Sequence, residues 1–290
     1  MDGAEVSGAH EIPPAYDTAP PTALTIAGSD SGGSAGMHAD LRTFFACGVH
    51  GMTAVTAVTV QNTVGVSDVA EIPSETVAAQ IEAVAGDIGV GAAKTGVLAS
   101  AATIDAAVEA CEKHGIGQSG RTPFVVDPVA ASRSGEPLLR SEALDALRYQ
   151  AFPRATLVTP NLDEVRLLTG VDARTREDLP DAAKAVHAFG PRWVLIKSGH
   201  LPNDPECVDL LFDGAEAIPL TGPRYSTKHT HGAGDAFASA ITAALARGQS
   251  VPDAVRAGKR FVTRCVEHAY PLGSGIGPVS TFWRVDEDRW

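Results

Sequence analysis

Beyond residue 21, short runs rich in β-branched residues alternate with longer stretches in which apolar residues recur at helical spacing. The pattern predicts strands over 22–27, 53–60, 92–94, 124–127, 156–159 and 193–197. A seventh run, 208–212, reads as one arm of a hairpin. Helices are predicted near 36–47, 74–86, 101–114, 161–169, 179–189, 233–247 and 252–269. Strands joined through helices are joined by crossovers, so their sheet is mostly parallel and covered on both faces. The expectation is an α/β fold with a mostly parallel central sheet and helices on both faces. Neither an internal repeat nor a second linker interrupts the pattern, which implies one domain over 22–290. Residues 1–21 are rich in Pro, Ala and acid without an apolar period, and read as a disordered tail.

Composition narrows the partners. Apolar residues make up 44% of the 290, enough for a sizeable core. The net charge of −12 repels phosphate backbones, so no nucleic-acid partner is expected. No Lys/Arg cluster suits anionic lipid, and no apolar run reaches the ~18 residues of a membrane span. The N-terminus has no basic start followed by an apolar stretch, so a cytoplasmic protein is expected. Cys47, Cys111, Cys207 and Cys265 are scattered without CxxC pairing and read as reduced thiols. The nine histidines show no HExxH spacing; His200, His229 and His231 read as polar loop residues. An anionic substrate would need local positive charge, for which Lys94, Lys197, Lys228 and Lys259 are the candidates.

In sheets of this kind ligands sit at the carboxyl ends of the strands. Polar residues recur there: Gly28-Ser29-Asp30, Gln61-Asn62, Asp127-Pro128, Pro160-Asn161 and Lys197-Ser198-Gly199-His200. The sharpest segment is His231-Gly232-Ala233-Gly234-Asp235, followed by a helix marked by Phe237, Ile241, Ala244 and Leu245 and stopped by Gly248. Two glycines before a helix let the backbone curl so that free N–H groups converge where the helix dipole favours an anion. Asp235 could take a proton from a substrate hydroxyl beside them. Read locally, the same residues also make a turn and a helix cap. No GxxxxGK[ST] occurs, and no GxGxxG follows a strand, so neither a Walker loop nor a dinucleotide fingerprint is present.

With these residues in view, Gly232–Asp235 resembles the GAGD anion-hole motif of the ribokinase-like superfamily. Residues 24–36, LTIAGSDSGGSAG, resemble the opening of the hydroxymethylpyrimidine/phosphomethylpyrimidine kinases of thiamine biosynthesis. Ala39-Asp40-Leu41, residues 60–66, Lys94-Thr95-Gly96-Val97-Leu98 and Val126-Asp127-Pro128-Val129 resemble later blocks of that family. So do residues 159–164, 197–201 and 230–232, and Gly275-Ile276-Gly277-Pro278-Val279 near the end. The resemblance covers nearly the whole chain after residue 21. Two positions depart from it: Asp235 stands where the family usually has cysteine, and Val97 where methionine is frequent.

The resemblance implies a ribokinase-like kinase that uses ATP and Mg²⁺ on a small heterocycle and forms homodimers. It makes Asp235 the general base and gives Gly232, Ala233 and Gly234 the N–H groups that hold the phosphoryl. Asn161 and Glu164 resemble the N-x-x-E element that handles nucleotide phosphates and Mg²⁺; they also sit at the spacing of a capping box. Lys197 and Thr230 fall on the nucleotide side, although a lysine at a strand end also simply reaches solvent. Asp40 and Gln61 would hydrogen-bond the pyrimidine, with Gly28 and Val97 lining its pocket. The plainer readings are an exposed first-turn acid for Asp40 and a loop residue for Gln61. Asp30 and Ser29 either line the pocket or shape the turn, and Asp127 either shapes the phosphate side or caps a turn. Two other functions fit the same residues: a pyridoxine or pyridoxal kinase, and a pyrimidine-binding protein without turnover.

Overall fold

The computed structural model describes residues 19–130, 139–199, 201 and 204–284. The tail expected over 1–21 falls mostly outside these residues, as does His200. The strands of the main sheet are β1 (Thr22–Ala27), β2 (His50–Val55), β5 (Ala92–Thr95), β6 (Phe124–Val126), β7 (Leu157–Val158), β8 (Trp193–Ile196), β9 (Glu206–Phe212) and β10 (Ala217–Pro223). Their order is β10-β9-β8-β7-β6-β5-β1-β2. From β2 to β8 neighbours run parallel; β9 and β10 add an antiparallel hairpin at one edge. The helices are α1 (Gly36–Ala46), α2 (Ser74–Asp87), α3 (Ala101–Lys113), α4 (Ser141–Ala146), α5 (Leu162–Thr169), α6 (Leu179–His187), α7 (Ala233–Ala246) and α8 (Val251–Glu267). The mixed sheet and its two helical layers agree with the α/β fold expected from the sequence.

Central strands alternate between two buried faces, as parallel strands covered on both sides must. Leu24, Ile26, Phe124 and Val126 pack with α2 and α3, while Val125, Leu157 and Leu195 pack with α7 and α8. The run predicted as one strand over 53–60 divides at Thr56. This residue leaves the sheet and is fully buried, with its hydroxyl donating to Val97 O at 2.6 Å. Beyond it, β3 (Ala57–Gln61) pairs with β4 (Val66–Glu71) as a separate antiparallel flap. The flap exposes Val58, Val60, Val64, Val66 and Val69. The sequence pattern predicted no β4, α4 or β10. Among the described residues no helix is long and apolar enough to cross a membrane.

Helices α7 and α8 approach closely because Gly258 faces α7. A Cβ there would lie 2.6 Å from Ile241 Cγ1 and 3.1 Å from the Phe237 ring. Gly258→Leu should therefore wedge the two helices apart and cost about 1–3 kcal/mol. Urea unfolding reads this as a lower midpoint; an unchanged midpoint would contradict the close packing.

Candidate active site

The site forms where α7 begins. Gly232 caps the helix in the left-handed region, at φ 78°, and a Cβ there would fall on the Ser34 carbonyl. Glycine is thus required twice over, by conformation and by the approach of the loop after β1. That loop is fixed by Asp30, whose carboxylate accepts the backbone N–H groups of Gly32, Ser34 and Ala35, each at 2.8 Å. Burial opposes the Asp30 charge, but the His231 ring and these three donors outweigh it and lower its pKa to about 2. Asp30 therefore shapes the turn. Gly28 sits in the same loop, and its carbonyl accepts the Met37 N–H at the start of α1.

Of the expected anion-hole donors, Ala233 is engaged: its N–H donates to Thr230 O at 3.2 Å. Gly234 and Asp235, at the second and third helical positions, carry N–H groups with no acceptor one turn back. Thr230, Gly232, Gly234, Asn161 and Lys197 line one cavity of about 470 Å³. The cavity continues past Cys207, Tyr225 and Thr263, whose roles no sequence motif marked. Lys197 stands beside the helix start, with Nζ 3.5 Å from where a Gly234 Cβ would be.

Charge accumulates under this corner. Lys94 and Asp40 are both fully buried and pair at 2.7 Å. Asp40 also accepts Thr25 Oγ1 at 2.6 Å and Ser239 Oγ at 2.5 Å. Neither reading of Asp40, ring contact or exposed acid, survives this geometry. Its oxygens are held by three protein donors and lie away from solvent. Lys94, expected to offer charge to a substrate, is committed in the same way. Burial works against the Lys94 charge, but Asp40, Asp235 and Asp127 outweigh it and hold its pKa above the usual value. Lys197 donates to Asp127 at 2.9 Å.

Asn161 and Glu164 complete a capping box on α5: Asn161 N–H donates to Glu164 Oε2 at 2.8 Å, and Glu164 N–H to Asn161 Oδ1 at 2.9 Å. The other Glu164 oxygen accepts Ala130 N–H at 3.3 Å. The chain reaches that point through Val129, whose φ of 41° is a rare conformation for a β-branched residue. Burial raises the Glu164 pKa and Asp127 adds to it, against Lys197, to about 7. Asp235, half-buried at the rim, is likewise raised by burial; Lys94 lowers it and Asp40 and Asp127 raise it, to about 6. That is a carboxylate poised to exchange a proton near neutrality.

The expected ring-reading residues belong to the flap and to the loop after β5. Gln61 ends β3, and its Nε2 lies 3.4 Å from His231 Nε2. Val97 follows β5 and is half-buried. His231 itself belongs to the loop that opens α7 and lies 3.5 Å from Asp30 Oδ2. One short stretch of chain thus borders both the lysine-lined cavity and the flap.

A family model described as phosphomethylpyrimidine kinase matches residues 30–280. The chain belongs to this family. A hydroxymethylpyrimidine/phosphomethylpyrimidine kinase of Mycobacterium tuberculosis is 54% identical over 92% of this chain and 95% of its own length. A bifunctional thiamine-biosynthesis protein of Geobacter sulfurreducens is 42% identical over 92% of this chain and 53% of its length. An ADP complex of Bacillus subtilis pyridoxal kinase superposes with a TM-score of 0.83 at 37% identity, covering 92% of this chain and all of the other. Phosphomethylpyrimidine kinases are phosphotransferases, and the reading of the chain as a binding protein without turnover falls away.

The donor set suits a magnesium ion bound mainly by phosphates and water. Asp127 and Glu164 are close enough to raise the Glu164 pKa by repulsion, which a nearby dication would relieve. Among the described residues no group of three or more His, Cys, Asp or Glu forms a protein-only cage, as Mg²⁺ at a phosphate site does not require.

Removing one member of the buried pair should be costly because the other charge is stranded. Lys94→Met is expected to lose about 3–5 kcal/mol of stability, and Lys94→Met with Asp40→Leu to recover part of it. Denaturant unfolding of the two variants checks this; equal losses would contradict the pairing.

Proposed function

We propose that this kinase transfers the γ-phosphoryl group of ATP to the hydroxymethyl oxygen of 4-amino-5-hydroxymethyl-2-methylpyrimidine and then to the phosphate of its monophosphate, in thiamine biosynthesis or salvage. The observation that carries the reading is the position of Asp235. It stands in the first turn of α7, directly after Gly232 and Gly234, which line the cavity with Lys197, and after His231, which reaches the Gln61 amide; burial raises its pKa to about 6. Asp235 accepts the proton of the acceptor hydroxyl as its oxygen attacks the γ-phosphorus. ADP leaves from the Lys197 side. The N–H groups that open α7 hold the charge on the transferring oxygens. Asn161 and Thr230 face the nucleotide phosphates, and Lys197 exchanges its pairing with Asp127 for them. Glu164 would hold Mg²⁺, which when bound would neutralise phosphate charge. Gln61 hydrogen-bonds an edge of the ring, and Val97 and Gly28 give it an apolar wall. The reading takes residues 22–290 as one domain and the protein as a cytoplasmic homodimer.

Pyridoxal is the second acceptor to weigh, because it also carries a hydroxymethyl group on a flat nitrogen ring and the superposed Bacillus subtilis enzyme is named for it. A coupled assay with Mg·ATP on the hydroxymethylpyrimidine, its monophosphate and pyridoxal separates the readings. Turnover of both pyrimidines with kcat/KM well above that for pyridoxal is expected. Pyridoxal turnover alone would move the protein to the second reading.

Asp235→Asn should lower transfer about 10²–10⁴-fold, the usual worth of a positioned base. Because the working form is the deprotonated carboxylate, kcat/KM of the wild type should fall as pH drops through about 6. A pH–rate profile flat from 5 to 8, within ~2-fold, would remove Asp235 from that role.

A further inference from the structure

Residues 273–279 take no part in the chemistry above, yet they touch both halves of the site. At one end, Ile276 N–H donates to Thr63 O at 2.9 Å and Gly275 N–H to Thr63 Oγ1 at 3.2 Å. Thr63 lies in the flap turn, two residues after Gln61. At the other end, Gly277 N–H donates to His229 Nδ1 at 2.9 Å, and its carbonyl accepts His231 N–H at 3.2 Å. Val279 N–H then donates to His231 O at 3.0 Å. The next residue after His231 is Gly232, which opens α7. The segment is thus a chain of backbone bonds running from the flap to the anion-hole loop.

Its glycines sit where there is no room for a side chain. A Cβ on Gly275 would fall on the Thr63 carbonyl, and one on Gly277 would fall on the Tyr270 carbonyl and lie 2.8 Å from His229 Nδ1. A side chain at Gly275 would force the segment away from Thr63, and one at Gly277 would distort its path past Tyr270 and His229. The His231 ring adds a second, shorter link, since it lies 3.4 Å from the Gln61 amide while its backbone is held by Gly277 and Val279.

We propose that residues 273–279 are a positioning strap that couples the seating of the acceptor ring at the flap to the shape of the anion-hole loop, with Thr63 and His229 as its two anchoring points. The strap touches no reacting atom; it acts through Gln61 and through the Gly232–Asp235 turn. Order imposed on the flap by a bound ring is passed to residues 229–232 through rigid hydrogen bonds, so the phosphoryl site is fully formed only when an acceptor is present. The inference rests on the reading that the pyrimidine ring sits at Gln61.

Hydrogen exchange of the full chain tests it, using 4-amino-2,5-dimethylpyrimidine as the probe. This ring lacks the hydroxyl oxygen and so has nothing to reach the anion hole by itself. In the wild type the probe should slow exchange both in the flap, 57–71, and in the loop, 229–236. Gly275→Ala pries the strap from Thr63 at a partly exposed loop position. There, protection should persist in 57–71 and be lost in 229–236, with kcat on the hydroxymethylpyrimidine about 10–100-fold lower and KM for ATP unchanged. His229→Ala, which frees the other end, should reproduce the split if Gly275→Ala folds poorly. Undiminished protection of 229–236 in both variants, or wild-type protection confined to 57–71, overturns the coupling alone. No protection in either segment of the wild type overturns the ring site, and the coupling with it.

Discussion

Four carboxylates and two lysines crowd beneath the start of α7, and the rest of the site depends on how they pair. Lys94 is committed to Asp40 and Lys197 to Asp127. Asp235 and Glu164 are left without a lysine of their own. These two carry the raised pKa values, about 6 and about 7, because burial disfavours their charge and the paired carboxylates add repulsion. In the proposed mechanism the first of these, Asp235, serves as the base, and the second, Glu164, deeper in, faces a hydrated cation. Neither property belongs to the residue type alone; each is a consequence of which partner the fold assigns to which lysine.

The sheet makes the pairing possible. Thr25, Lys94 and Val125 lie on the same face of adjacent parallel strands, in register. Helices α1 and α7 cover that face and contribute Asp40 and Ser239. Since Ser239 is one helical turn beyond Asp235, the bond that locks α7 onto the buried pair also anchors the turn that carries Asp235. Packing and the candidate site are therefore linked through one helix, and the loop that opens it is bonded to residues 277–279 and packed against the loop after β1.

Much of this was legible in the sequence. Helix and strand periods gave α2, α3 and α7 within a residue or two, and the Gly232–Asp235 segment announced its place before a helix. The flap was not legible, because 53–60 is one unbroken β-branched run whose break, Thr56, differs from its neighbours only in what it touches. Strand β4 has six exposed residues, so no buried face marks it. Strand β10 contains two prolines, which read as turn signals, and an edge position tolerates them. Asp40 was misread for a different reason. Its partners Lys94 and Ser239 lie 54 and 199 residues away in sequence, and nothing local says that a first-turn acid will be buried against a lysine. The capping box of Asn161 and Glu164 was legible as a spacing, whereas the Glu164 contact with Ala130 depends on the unusual turn at Val129.

The central claim is that Asp235 is a carboxylate displaced upward by its surroundings while Lys94 limits the displacement. The most direct measurement is a ¹³C NMR titration of aspartate carboxyl carbons, with the Asp235 signal assigned by its absence from Asp235→Asn. This signal should titrate near 6, well separated from the ordinary aspartate range around ~3.9. A signal for Asp235 that titrates within the ordinary range would show that burial and the neighbouring carboxylates do not govern it, and the electrostatic account of the site would fail.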